Sequence, residues 1–308
     1  MATRTDELSC NSCKKSRSDV SQPLKRCAKC LKALYCSQEC QRTDWPSHKR
    51  FCLSKAEEEA ASAENYELKV QLKPGDIDNP AIWRTLSCPA AATFEQLHRA
   101  LQIAFGWATT HTYDFIVKDP DYKPEEHEED EATMIQRFTA TFQRGRQSHN
   151  APRENLLRII AKPQGGFGAV DNMYSGMRSH PQTPEKRSDK LKLYEILEDA
   201  RYRGSDLEYE YDFGDCWTHA ITVIGRTDHS TTFSCIAGEG HPCAEDAGGS
   251  SGWKELVEAY RTASPNEAQR EKKEWFETRC SNQDRRGLAG ERIKQWDKKL
   301  VNRMLAQV

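Results

Sequence analysis

The chain has 308 residues, 37% of them apolar, and a formal charge of −2. That suffices for a moderate core in one to three domains and provides no overall positive excess for non-specific nucleic-acid binding. No run of about eighteen apolar residues occurs and the start carries no apolar h-region, so neither a membrane span nor a secretory signal is expected, and a reduced cytoplasmic or nuclear setting follows.

Residues 10–52 carry seven cysteines and one histidine at regular intervals: Cys10-x2-Cys13, Cys27-x2-Cys30, Cys36-x3-Cys40 and His48-x3-Cys52. Pairs two apart suit knuckle turns, and pairs four apart lie on one face of a helical turn, so the last two pairs are expected on short helices. A module of about forty residues buries too little apolar surface to fold unaided, so zinc must contribute on the order of 10 kcal/mol per ion. A disulfide framework is the alternative, but paired C-x2-C spacing with a histidine completing the count is zinc spacing. Eight ligands make two closed structural sites, with no position left open for catalysis.

Tyr35-Cys36-Ser37-Gln38-Glu39-Cys40-Gln41, Asp44-Trp45 and His48-Lys49-Arg50-Phe51-Cys52 closely resemble a MYND-type zinc finger. The resemblance implies interleaved pairing, with Cys10, Cys13, Cys36 and Cys40 on one zinc and Cys27, Cys30, His48 and Cys52 on the other. It also implies protein partners, bound as short proline-containing peptides in a shallow groove where Gln41 and Trp45 take part. Those two are four residues apart on one helix face. Trp45 offers a flat apolar surface to a proline ring and Gln41 a donor and an acceptor to an extended backbone. Packing of Trp45 into the module's small core is the competing reading. Lys14, Lys15, Arg17, Lys25, Arg26 and further basic residues read either as a solvated surface or as a phosphate-binding face, so nucleic acid is the less favoured partner.

Residues 53–65 are rich in Ala and Glu and read as a short helical linker to a second domain, 66–308. There, alternation predicts strands at 66–72 and 82–88, and Thr93-x-x-Gln96 opens a helix that buries Leu97, Leu101, Ala104 and Phe105 and stops near Gly106. Residues 112–117 predict a third strand. A stretch of about 119–190 reads as a largely mobile insertion, acidic from 119 to 131, with one strand at Leu156–Ile160. Beyond it come a helix at 191–200, strands at 207–213, 219–224 and 233–236, and helices at 252–262, 266–279 and 291–305. The last is expected to group Ile293, Trp296, Leu300, Val301 and Met304 on one face. Strands and helices mix without βαβ alternation, so the class is α+β, with a largely antiparallel sheet, following a small zinc-stapled finger.

Two segments of the second domain carry candidate chemistry. Asp212, Asp215 and His219 straddle a turn, and Glu245 and Asp246 lie in a glycine-rich loop. Together they read as a carboxylate–imidazole cluster for a hard or borderline metal. Cys235, His241 and Cys243 are an alternative zinc set. The bland reading has Asp215 and Asp246 capping turns, with the glycines permitting positive φ.

Ile82-Trp83-Arg84, Phe94-x2-Leu97-His98, Phe105-Gly106-Trp107, Tyr211-Asp212-Phe213-Gly214-Asp215-x-Trp217-x-His219 and Glu245-Asp246-x-Gly248-Gly249 resemble the plasmid pRiA4b ORF-3-like family over residues 66 to about 260. That resemblance implies a fold but no reaction. The chain departs from the family pattern in the long insertion before the Asp212 motif and in Pro242-Cys243-Ala244. The leading expectation is a non-enzymatic zinc-binding adaptor, in a setting of transcriptional regulation. A metal-dependent hydrolase or nuclease using the Asp212, Asp215, His219, Glu245 and Asp246 cluster is one alternative, and a DNA-associated regulator another. No Asn-His motif with a downstream cysteine of the SET methyltransferase kind is present.

Overall fold

The computed structural model describes residues 8–73, 75–123, 153–162 and 178–308, which fall into two compact units, 1–63 and 64–308.

The first unit holds a two-stranded ribbon, β1 (Lys25–Arg26) and β2 (Leu34–Tyr35), with Lys25 opposite Tyr35. Helix α1 (Gln38–His48) follows, with the Ser37 hydroxyl accepting from Cys40 N–H at 3.1 Å. Its core is made of Cys10, Cys27, Cys30, Ala33, Tyr35 and Cys52. So small a core is mostly sulfur, and the metal must carry the stability. The segment expected as a linker forms α2 (Lys55–Ser62), opened by a Ser54/Glu57 capping box. It is tied back to the same unit by Lys29 to Glu57 at 2.9 Å and Lys32 to Glu58.

The second unit is an α+β body around an eight-stranded sheet. Its strands are β3 (Asn65–Leu72), β4 (Trp83–Cys88), β5 (Tyr113–Lys118), β6 (Asn155–Ile160), β7 (Glu185–Arg187), β8 (Leu207–Tyr211), β9 (Trp217–Thr227) and β10 (Ser234–Glu239). The spatial order is β10-β4-β3-β9-β8-β5-β6-β7, antiparallel except for the β6–β7 pair. Residues on β3 alternate between buried and half-buried, as a strand covered on one face should. Helix α3 (Phe94–Phe105) has its Thr93/Gln96 capping box and ends at Gly106 in the left-handed conformation, φ 71°. It buries Leu97, Leu101, Ala104 and Phe105 as predicted, together with Phe94, His98 and Gln102. Further helices among the described residues are α4 (Tyr194–Leu197), α5 (Gly249–Arg261), α6 (Glu267–Thr278) and α7 (Lys298–Leu305).

Two expectations need correction. The single helix over 291–305 is instead a short 3-10 turn (Gly290–Lys294) followed by α7, because the Asp297 carboxylate caps Leu300 N–H at 2.9 Å and starts a new helix. Trp296 is drawn out of the helical path: its indole N–H donates to Gly238 O at 2.9 Å, and its ring lies 4.5 Å from the Arg84 guanidinium. Leu300 and Met304 are exposed, whereas Val301 and Leu305 are buried.

The predicted insertion is also more structural than expected where it is described. Its residues supply β6 and β7, and Arg178 forms ion pairs with Asp114 (3.1 Å) and Glu210 (2.7 Å). Asp114 is fully buried and also accepts from Arg158 at 2.5 Å. The expected mobility of the insertion falls largely on residues 124–152 and 163–177, which lie outside the described residues.

Candidate functional site

In the first unit the ligand atoms gather into two groups, Cys10, Cys13, Cys36 and Cys40, and Cys27, Cys30, His48 and Cys52, each with its atoms within 4.8 Å of one another. Sulfur separations are 3.5 Å for Cys13–Cys36 and Cys36–Cys40 and 3.6 Å for Cys27–Cys52, and Cys30 Sγ lies 3.6 Å from His48 Nε2. A tetrahedron with metal–sulfur bonds of about 2.3 Å has edges of about 3.8 Å, so both groups have the dimensions and the donor chemistry of closed zinc sites. These are two zinc-binding clusters.

Local backbone explains why the spacing works. After each C-x2-C pair the next residue is left-handed, Lys14 at φ 63° and Leu31 at φ 56°, which turns the chain so that both sulfurs point inward. The Cys30 amide, foremost among its hydrogen-bond donors, helps hold the Cys27 thiol down to about 6, against burial. At the other extreme, hydrogen bonding to Cys40 pushes the Cys36 thiol up to about 12, and burial does the same to Cys52. Crowded thiols of this kind cannot all ionise unless a cation sits among them.

The expectation that Cys36/Cys40 and His48/Cys52 each share a helical turn is corrected. One helix, α1, runs between the sites, with Cys40 in its first turn and His48 at its end, while Cys36 and Cys52 flank it. On this helix Trp45 is 44% exposed and lies outside the finger's core, its ring edge-on to His48 at 5.9 Å. Gln41 is half-buried one turn earlier.

In the second unit, Tyr211 ends β8 and Asp212 follows it in the left-handed region at φ 59°, which terminates the strand and turns the acid away from the sheet. Asp212 Oδ1 accepts from the Gly214 amide (2.9 Å) and the Asp215 amide (3.3 Å). Burial pushes the Asp212 carboxyl above its ordinary value despite those amides. His111 Nε2 lies 3.6 Å from Asp212 Oδ2 and 3.0 Å from Asp246 Oδ1.

The comparisons with known proteins fall along the same division. A family model described as plasmid pRiA4b ORF-3-like protein matches residues 64–286. The chain belongs to that family. A MYND finger model matches residues 10–52. The chain is similar to the uncharacterized protein y4hQ of Sinorhizobium fredii, 25% identical over 225 residues covering 70% of this chain and 81% of that one. It also resembles SET domain-containing protein 14 of Caenorhabditis elegans, 48% identical over 46 residues, and histone-lysine N-methyltransferase SMYD3 of Homo sapiens, 43% over 56. These two cover 15% and 16% of this chain and 10% and 13% of the relatives, so the chain spans only about an eighth of their length or less. A solved structure, the protein of unknown function MM3350 from Methanosarcina mazei Go1, aligns with a TM-score of 0.47 at 20% identity, over 77% of this chain and 96% of that one.

In the pRiA4b ORF-3-like domain the sequence-predicted cluster comes together only in part. Asp212 and Asp246 meet, and Asp215 lies beside them with Oδ2 accepting from Gly248 N–H at 3.1 Å. His219 does not join them: on β9 it points into the core, fully buried, against Phe105 (4.7 Å between centroids) and Tyr209 (5.2 Å). Its Nδ1 lies 2.9 Å from Trp217 O, and burial lowers its pKa to about 4. Strand alternation is the cause, since Trp217 and His219 share the covered face. Glu245 is a structural anchor: it accepts from Ala108 N–H (2.7 Å), Thr110 (3.0 Å), Ser281 (3.2 Å) and the Tyr211 hydroxyl. Cys235, His241 and Cys243 form no metal-holding group among the described residues; His241 instead faces Asp284 at 3.2 Å.

The family motif Ile82-Trp83-Arg84 is structural as well. Arg84 is fully buried, and its guanidinium donates to the carbonyls of Ala104, Trp83, Glu239 and Gly240. The residue that sequence reasoning missed is His111. Its one signal was a histidine among small polar residues immediately before a strand, and nothing linear connects it to positions a hundred residues on.

Proposed function

We propose that this chain is an adaptor: its finger captures short proline-containing segments of partner proteins, in a setting of transcriptional regulation. The first unit is a zinc-binding protein-interaction module of the MYND type. One observation supports the finer reading. Trp45 stands 44% exposed on a helix clamped by a zinc group at each end, when an apolar ring of that size would be buried if packing were its only use. Gln41, one turn back on the same face, supplies the amide that an extended proline segment needs, since such a segment leaves its carbonyls unpaired. The transcriptional setting draws on finger-length similarity to a protein named as a histone-lysine N-methyltransferase. The DNA-associated alternative has less support: the charge is −2, and Lys29 and Lys32 are paired with Glu57 and Glu58.

Titrating the zinc-loaded full chain with a panel of proline-containing peptides, followed by calorimetry, tests this. A binding peptide loses about tenfold in affinity, or roughly 1.4 kcal/mol, on Trp45→Ala while both zinc ions are retained. Unchanged affinity in that variant would remove the groove from the account.

A further inference from the structure

Three segments far apart in the chain deliver one imidazole and two carboxylates to a single point. His111 comes from the loop before β5, Asp212 from the turn between β8 and β9, and Asp246 from the segment entering α5. Their ligand atoms all lie within 4.8 Å of one another. The Asp212 side chain is 8% exposed, that of His111 26% and that of Asp246 56%, so the group runs from a buried floor to an open rim.

The surroundings aim these atoms. The two amides on Asp212 Oδ1 leave Oδ2 facing the imidazole. Glu245, with both oxygens occupied, holds the backbone from which Asp246 projects, and it binds Thr110 next to His111 in the opposite loop. The Tyr211 hydroxyl accepts from the Thr110 amide (3.1 Å) and the His111 amide (3.3 Å), which fixes the imidazole's own segment. Charge is unbalanced here. Asp212, Asp215, Glu245 and Asp246 bring four carboxylates, and among the described residues none of them pairs with Lys or Arg. The one nitrogen base facing Asp212 and Asp246 among the described residues is the His111 imidazole, and a divalent ion would balance the carboxylates directly.

The geometry points to a third metal site, in the pRiA4b ORF-3-like domain, with His111 Nε2, Asp212 Oδ2 and Asp246 Oδ1 as ligands for a divalent cation of the Mn²⁺ or Fe²⁺ kind. Two carboxylate oxygens and one imidazole without sulfur suit such hard-to-borderline ions, unlike the thiolate sites of the finger. Three protein ligands leave about half of an octahedral shell open on the Asp246 side for water or for ligand oxygens. Glu245 and Tyr211 are positioning residues.

Mn²⁺ is the probe, because it does not displace zinc from thiolates. The zinc-loaded full chain is titrated at about 1 mM Mn²⁺ or below, with electron paramagnetic resonance counting the free ion. One Mn²⁺ binds per chain, and its spin-echo signal carries nitrogen modulation from an imidazole. Asp246→Asn, at an exposed position, weakens binding at least about tenfold. Asp212→Asn keeps the oxygen that caps Gly214 and Asp215 and weakens it likewise. His111→Ala abolishes the nitrogen modulation. Zinc content stays at two ions in every variant. Absence of Mn²⁺ binding, or equal binding in wild type and Asp246→Asn, overturns the site and leaves His111 as a hydrogen-bond partner of Asp246.

Discussion

Cys40 and His48 stand at the two ends of one helix, and each belongs to a different zinc group. Eight residues of α-helix separate them by about 12 Å, so α1 is a strut held at both ends by metal. Helices this short are marginal in water by themselves, which makes the Gln41 and Trp45 face dependent on both ions.

Removing metal therefore dismantles the finger while sparing the second unit. With excess chelator, helical circular dichroism falls only by the share of α1 and α2, and peptide binding is lost. Cys40→Ser and His48→Ala each abolish peptide binding although they remove ligands from different sites. Retained binding in either variant contradicts the strut.

Acid weakens the second unit through two buried histidines, His98 on α3 and His219 on β9. Burial lowers His98 to about 3 and His219 to about 4, from an unfolded value near 6.5. The unfolded chain binds more protons between those limits, so this stability is fully present above about pH 6.5 and is lost progressively as pH falls towards 4, on the order of 3 kcal/mol per histidine. Hydrogen exchange of β9 amides under mild urea at pH 7, 5.5 and 4 should show the decline, with a shallower slope in His219→Gln. A slope identical in that variant rules His219 out as a contributor.

Asp114 compensates two arginines. Replacing it by Asn takes from buried Arg158 and from Arg178 the carboxylate they share, while the ion pairs to Glu185 and Glu210 stay. The expected cost is about 3 kcal/mol, or roughly 10 °C in the melting temperature of a domain this size. A change of a degree or less shows that the network is energetically neutral.

Arg84→Lys is not a conservative change here. A lysine cannot reach four carbonyls in one plane or stack on Trp296 as the guanidinium does at 4.5 Å. Losing two of the four bonds costs about 3 kcal/mol and releases β10 from β4, visible as faster exchange of Glu239 and Gly238 amides. Unaltered exchange there shows the stacking to be dispensable.

The zinc spacing, the strand alternation of β3 and the capping of α3 were legible in the chain because each is a local rule: coordination at fixed intervals, period two, and a side chain bonding an amide three residues on. The α+β class and largely antiparallel sheet follow from those rules in sum. The division of the eight ligands between two ions was not, since pairing depends on how the ribbon and α1 fold over one another.

Nor could linear reading decide which of Asp212, Asp215, His219, Glu245 and Asp246 would meet. Alternation on β9 turns His219 into the core, Glu245 is consumed by four donors, and His111 arrives from the loop between α3 and β5. Sequence determined the donors and the periodicities, which are properties of near neighbours. Only the tertiary structure decided which donors share a point in space, because loops from three elements converge there through a sheet whose strand order is not its chain order.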